Sequence, residues 1–88
     1  MSKKKKQNTE NKRLRIEEIR FYIKNFIRNW RLNEGLTQRE FSQLANVHVN
    51  SIYNLERQRG TNLITLINCI IAMDGMTLSE FFAGIEED

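Results

Sequence analysis

The apolar positions of this chain recur at helical spacing along most of its length. Ile16, Ile19, Ile23, Phe26, Ile27 and Trp30 follow one another at intervals of three, four, three, one and three residues, which puts them on one stripe of a helix. The spacing predicts a long first helix from Arg13 to about Asn33, with Gly35 as a natural stop behind it. Thr37 can cap a second helix, because Glu40, three residues on, can reach back to the Thr37 amide in a capping box. Phe41, Leu44 and Ala45 follow at helical spacing and are expected to share a face. Asn46 interrupts them; Asn tolerates the left-handed conformation that a sharp turn between helices requires.

Val47, Ile52 and Leu55 resume the apolar pattern as the inward anchors of a third helix. His48 or Asn50 can cap it, Asn being the better side chain. A fourth helix is expected from about Asn62 to Met73, capped by Thr61 or Asn62, with a core face of Leu63, Leu66, Cys69, Ile70 and Met73. Ile64, Ile67 and Ile71 make a second stripe, so this helix should be buried on two sides. Asp74-Gly75 ends it. Thr77-Leu78-Ser79-Glu80 is a second capping box, opening a short last helix that carries Leu78, Phe81, Phe82 and Ile85. The expected architecture is all-α with five helices.

Eighty-eight residues make one small domain, which buries only about 60–65% of its unfolded surface. Three parts are expected: a disordered basic arm over 1–12, a helical domain over 13–85 and an acidic tail over 86–88. The net charge of +3 is unevenly spread. Residues 1–39 hold 12 Lys or Arg and 4 acids, residues 40–88 hold 2 Arg and 7 acids, so the halves carry +8 and −5. Attraction to phosphate must therefore come mainly from the N-terminal third. The lysine run at 3–6 reads equally as an arm along a nucleic-acid backbone or as a solubilising tail. A membrane-surface role fits less well, because no large apolar residue accompanies the lysines.

Several functions are excluded. One Cys rules out an internal disulfide, and with no signal peptide or membrane-spanning apolar run the chain is expected in the reducing cytoplasm. Cys69, between Asn68 and Ile70, reads as a small buried hydrophobe. A lone His and a lone Cys cannot supply a structural zinc site. There is no Gly-rich phosphate loop and no paired catalytic acids, so no metal, cofactor, catalytic residue or enzymatic activity is expected, and no small-molecule effector site is evident.

The segment from Thr37 to Glu56 resembles the Cro/C1-type (XRE family) helix-turn-helix domain of phage repressors and many bacterial regulators. Gln38 stands where the family opens its first motif helix with Gln, and Ser42 stands where a small residue is usual. Asn46 replaces the turn glycine, Val47 is the buried turn aliphatic, Ile52 the apolar residue inside the recognition helix, and Glu56 the acid near its end. Arg31 matches an upstream Arg seven residues before the Gln. The resemblance covers roughly 23–82 and implies a five-helix lambda-repressor-like DNA-binding fold, here with an extended first helix. It loosens after Glu56, where Arg57-Gln58-Arg59-Gly60-Thr61-Asn62 replaces the usual Asn-Gly and Pro.

The resemblance and the helical phase together imply a division of labour. Val49, Asn50, Tyr53 and Asn54 are expected to face DNA bases, Asn pairing with adenine and Val49 touching a thymine methyl; as bare sequence, both Asn residues also read as solvated helix surface. Gln38, Arg39, Ser51, Arg57, Arg59 and Thr61 are the phosphate candidates, and His48 can either bind phosphate when charged or serve as a neutral cap. Arg31 and Glu56 are expected to form a structural ion pair, and the Gln38 amide to brace the recognition helix.

One short recognition helix reads only a few base pairs, so a homodimer on two half-sites about one helical turn (~34 Å) apart is expected on double-stranded DNA. Ile64, Ile67, Ile71, Phe81 and Phe82 are the candidate interface, with Ile85 and the extension residues Ile16 and Ile19 as further surplus apolar surface. Alternatively that extension folds back on helices four and five of its own chain. The expected function is a sequence-specific transcriptional regulator. A protein-interaction adaptor or antitoxin-type module on the same fold is the alternative, and non-specific binding through the lysine arm a third.

Overall fold

The computed structural model describes residues 9–85, with side chains from Arg15 onward; the lysine run and the acidic tail lie outside the described residues. Five helices follow in order: α1 (Thr9–Asn33), α2 (Gln38–Ala45), α3 (Val49–Glu56), α4 (Leu63–Ala72) and α5 (Leu78–Phe82). No strand occurs among the described residues. The first helix starts at Thr9 rather than Arg13. No Gly or Pro interrupts 9–13, so an existing helix simply propagates through that part of the expected arm.

Three of the helix ends share one chemistry. Gly35 lies at φ +72°, its N–H donates to Leu32 O (3.0 Å) and Leu36 N–H donates to Arg31 O (3.0 Å). Asn46 (φ 59°) and Gln58 (φ 64°) repeat the arrangement after α2 and α3, with Val47 N–H on Ser42 O (3.0 Å) and Arg59 N–H on Asn54 O (2.8 Å). These are Schellman closures, in which a left-handed residue lets the chain satisfy the last carbonyls. Only the first uses the glycine that such a position favours.

Helix starts are as regular. Glu40 N–H donates to Thr37 Oγ1 (3.0 Å) while Thr37 N–H donates to Glu40 Oε1 (2.8 Å), and Thr77 with Glu80 repeats this box at α5 (2.9 and 3.1 Å). Asn62 Oδ1 accepts from Thr65 N–H (2.7 Å) at α4. At α3 the cap is His48, whose Nδ1 accepts from Asn50 N–H (3.1 Å). The stronger capping type at 50 already lies inside the helix, one residue past its start.

The core comprises Ile27, Phe41, Ala45, Ile52, Leu55, Cys69, Ile70, Met73 and Phe81, with Ile23, Phe26, Trp30, Val47, Leu66 and Phe82 packed around it. Three expectations change here. Leu44 is 55% exposed; α2 turns Phe41, Ser42 and Ala45 inward instead, and the Ser42 hydroxyl satisfies itself on Arg39 O (2.7 Å). Leu63 is exposed, because it opens α4 before the helix reaches the core. Phe81 is wholly buried, so it is no interface residue. It sits edge-on to Tyr22 and 4.5 Å, centroid to centroid, from Phe26.

The expectation that α4 is buried on two sides also fails within the chain. Its inner side is sealed by Cys69, Ile70 and Met73, while Ile64 and Ile71 lie in solvent. The extension of α1 is intermediate between the two expectations. Ile19 and Ile85 line a shallow groove of about 540 Å³ with Tyr22 and Phe26, whereas Ile16 is exposed. Tyr22 ties the chain end down: its hydroxyl donates to Phe81 O and accepts from Gly84 N–H (3.2 Å). A side chain on residue 84 would bring Cβ to 2.9 Å from that oxygen and would have to displace the hydroxyl.

Candidate nucleic-acid interface

The surface in question is the outer side of α3. Ile52, Leu55 and Glu56 are buried, and the 3.6-residue repeat then turns Val49, Asn50, Tyr53, Asn54 and Arg57 the other way. Asn50 and Arg57 are exposed; Val49, Tyr53 and Asn54 are half-buried. Along this side run two primary amides, a branched aliphatic and an aromatic with a phenol. Asn carries donors and an acceptor in the geometry of an adenine edge, and Val offers the methyl groups that meet thymine.

The Arg57 guanidinium carbon lies 5.6 Å from the Tyr53 ring centre. This cation–π contact holds the charge against the helix instead of leaving it to swing in solvent. The turn beyond is pinned by Asn54, whose carbonyl accepts from Arg57 N–H (3.2 Å) and Arg59 N–H (2.8 Å). Arg59 and Thr61 are exposed on that turn, Arg39 is exposed on α2, and Ser51 is half-buried on α3. Three exposed cations, Arg39 on α2, Arg57 at the end of α3 and Arg59 on the turn behind it, thus lie on the helix-turn-helix elements and the turn that follows them. Pattern reading missed Gln58. Its place two residues beyond Glu56 is the only local signal that it would hold the left-handed position.

Beside the apolar anchors Ile52 and Leu55, a buried polar network fixes α3 in place. Arg31 Nε donates to Glu56 Oε2 (2.7 Å) and Arg31 Nη2 to Glu56 Oε1 (2.9 Å), a fork-to-carboxylate pair with two near-parallel bonds. Arg31 Nη1 donates to Leu36 O (2.8 Å) and Gln38 Nε2 donates to Glu56 Oε1 (3.1 Å). Both charges are 7% exposed. Removing them from water is costly, and the surrounding hydrogen bonds offset that cost. The network ties α1, the loop behind it, the start of α2 and the end of α3. Gln38 therefore faces inward with its side chain, and what it can offer a phosphate is the helix N-terminus it occupies.

The remaining chemistry-bearing groups stand apart from this surface. Burial pushes the Cys69 thiol up from its ordinary 9.0 to about 12, which leaves it protonated and unreactive at neutral pH. No helix among the described residues is long and apolar enough to cross a membrane.

A model of the helix-turn-helix family matches residues 27–82, from the second half of α1 to the end of α5. No curated protein and no solved structure matches the chain.

Proposed function

Because the chain belongs to the helix-turn-helix family of the Cro/C1 type, a DNA-binding and non-enzymatic family, we propose that it is a sequence-specific transcriptional regulator acting on double-stranded DNA in the cytoplasm. In this reading α3 lies in the major groove. Asn50 and Asn54 read adenine edges, Val49 meets thymine methyls, and Tyr53 borders them, so contacted positions are rich in A·T pairs. Arg39, Arg57, Arg59, Ser51, Thr61 and the α2 N-terminus at Gln38 hold phosphates and set the register. The protein works as a homodimer on two half-sites, since one eight-residue helix reads too few base pairs for selectivity.

The observation that carries this reading is that, among the described residues, the Asn50 and Asn54 side chains make no hydrogen bond within the protein, while the opposite side of α3 is anchored by Ile52, Leu55 and the Arg31–Glu56 pair. A helix used only for scaffolding would have no reason to combine so rigid a mount with so open an amide surface. Selection from random duplexes tests it. An enriched A·T-containing motif is expected, and the Asn50→Ala, Asn54→Ala double variant should lose that enrichment while keeping its helical content. Each lost amide–adenine pair should cost about 1–3 kcal/mol of discrimination. If no motif is enriched, the regulator reading gives way to the protein-interaction adaptor.

A further inference from the structure

Resting on the homodimer reading above, we infer that the second copy docks on the outer face of α4, antiparallel to it and centred on Ile67. Leu63 and Ile64 are each 66% exposed and Ile71 57%, and Ile67 between them is half-buried. Ile64, Ile67 and Ile71 lie three and four residues apart, on one line down the helix. The other side of α4 is already occupied by Cys69, Ile70 and Met73 in the core, and among the described residues nothing covers Ile64 or Ile71. An exposed apolar stripe of this kind marks an interaction surface.

The charge pattern selects a second copy as the occupant. From Thr61 to Met73 the sequence holds no Asp, Glu, Lys or Arg. In a two-fold contact every residue near the axis meets its own twin or a close neighbour of it, so any charge there would face its like, at a cost of several kcal/mol. This stripe has no charge to repel. Of the other exposed apolar residues, Ile16 and Phe21 are interleaved with Arg15, Glu17, Glu18, Arg20 and Lys24, and Leu32, Leu44 and Leu78 belong to three different helices, so none offers a comparable uncharged line.

The flanks select the orientation. The chain entering α4 carries Arg57 and Arg59, and the turn leaving it carries Asp74. An antiparallel pair brings the basic entry of one copy to the acidic exit of the other and opposes the two helix dipoles. A parallel pair would set like against like at both ends. Antiparallel packing about Ile67 places Ile64 against the partner's Ile71 and Ile67 against the partner's Ile67.

Three measurements test this. In sedimentation velocity across the micromolar range without DNA, the wild-type chain is expected to move from monomer to dimer. The Ile64→Lys, Ile71→Lys double variant should remain monomeric at every concentration, with unchanged helical circular dichroism. On DNA that variant should keep wild-type affinity for a duplex with one half-site and lose the cooperativity of the two-half-site duplex. For orientation, Ile67→Cys should link to itself with a short bismaleimide. Ile64→Cys alone should not, whereas Ile64→Cys mixed with Ile71→Cys should. Cys69 stays out of the reaction because it is buried. A wild-type chain that stays monomeric without an Ile67→Cys cross-link overturns the inference, as does a dimer that survives both lysines. Self-linking of Ile64→Cys overturns the antiparallel arrangement. Failure of every form to bind any duplex, with the dimer intact, removes the DNA reading and leaves the α4 surface standing.

Discussion

Around α3 buried polar contacts join the apolar anchors Ile52 and Leu55, whereas around α4 and α5 the tertiary contacts are nearly all apolar. The third helix is mounted by a buried guanidinium–carboxylate fork, a glutamine amide on the same carboxylate and a histidine cap. The fourth and fifth lean on Cys69, Ile70, Met73 and Phe81; apart from their own caps, the part-buried Tyr22 hydroxyl is the single polar tie to them among the described residues. The difference follows from what each layer must do. Apolar packing is non-directional, and a helix held only by it can rotate or slide with little penalty. Hydrogen bonds between charged groups have short reach and fixed angles, so they set the rotation of α3 and hence which residues face outward. In the proposed function a layer that presents base-reading groups needs that angular definition; a layer that completes the core does not.

The comparison can be broken most sharply at Glu56. Glu56→Ala strands the buried Arg31 charge and is expected to cost roughly 3–5 kcal/mol, a large part of the stability of so small a domain. Urea titration followed by circular dichroism should show it. Arg31→Met with Glu56→Met should cost less than Glu56→Ala alone, because no charge is left buried. If the single and double variants lose the same amount, the pair's charges do not carry the mount.

On the apolar side the corresponding probe is alkaline pH. The Cys69 thiol is held up to about 12 by burial, so between pH 9 and 12 the unfolded chain releases a proton that the folded one keeps. Stability should therefore be intact below pH 9 and fall above it, by up to about 1.4 kcal/mol per pH unit from this group. Chemical denaturation at several pH values should show this slope in the wild type and a shallower one in Cys69→Ala. Equal slopes would mean the thiol is not desolvated.

Smaller effects refine the picture. Tyr22→Phe removes the one polar tie of the α5 layer and leaves the Phe81 carbonyl without its partner. A loss of about 1–3 kcal/mol is expected, with faster amide exchange confined to the chain beyond α4. In the α3 layer, Gln58→Gly relieves a left-handed backbone at φ 64° and should stabilise by about 1 kcal/mol in thermal melts. The same change should leave single-half-site affinity intact, because the closing bond of the turn is made by Arg59 N–H on Asn54 O.

Much of this protein follows from the order of its residues alone. Thr37 with Glu40 and Thr77 with Glu80 announce their capping boxes, Gly35 and Asn46 announce turns, and the interval from Arg31 through Gln38 to Glu56 carries the helix-turn-helix signature. Each of these depends on atoms within a turn or two of the chain, or on a spacing that the family reuses. The amide-bearing side of α3 was legible for the same reason: once Ile52 and Leu55 are inward, helical phase leaves no choice for Asn50 and Asn54.

Other features waited for the packed chain. Leu44 and Leu63 fit the apolar periods of their helices as well as their neighbours do, yet they are exposed because no element among the described residues covers them. Phe81 and Ile71 are comparably apolar, and only the position of α1 makes one a core residue and the other a surface residue. His48, not Asn50, became the cap once the closure behind Asn46 set where α3 begins. Periodicity states which residues share a side, but burial is a relation between two surfaces, and the second surface comes from a distant part of the chain.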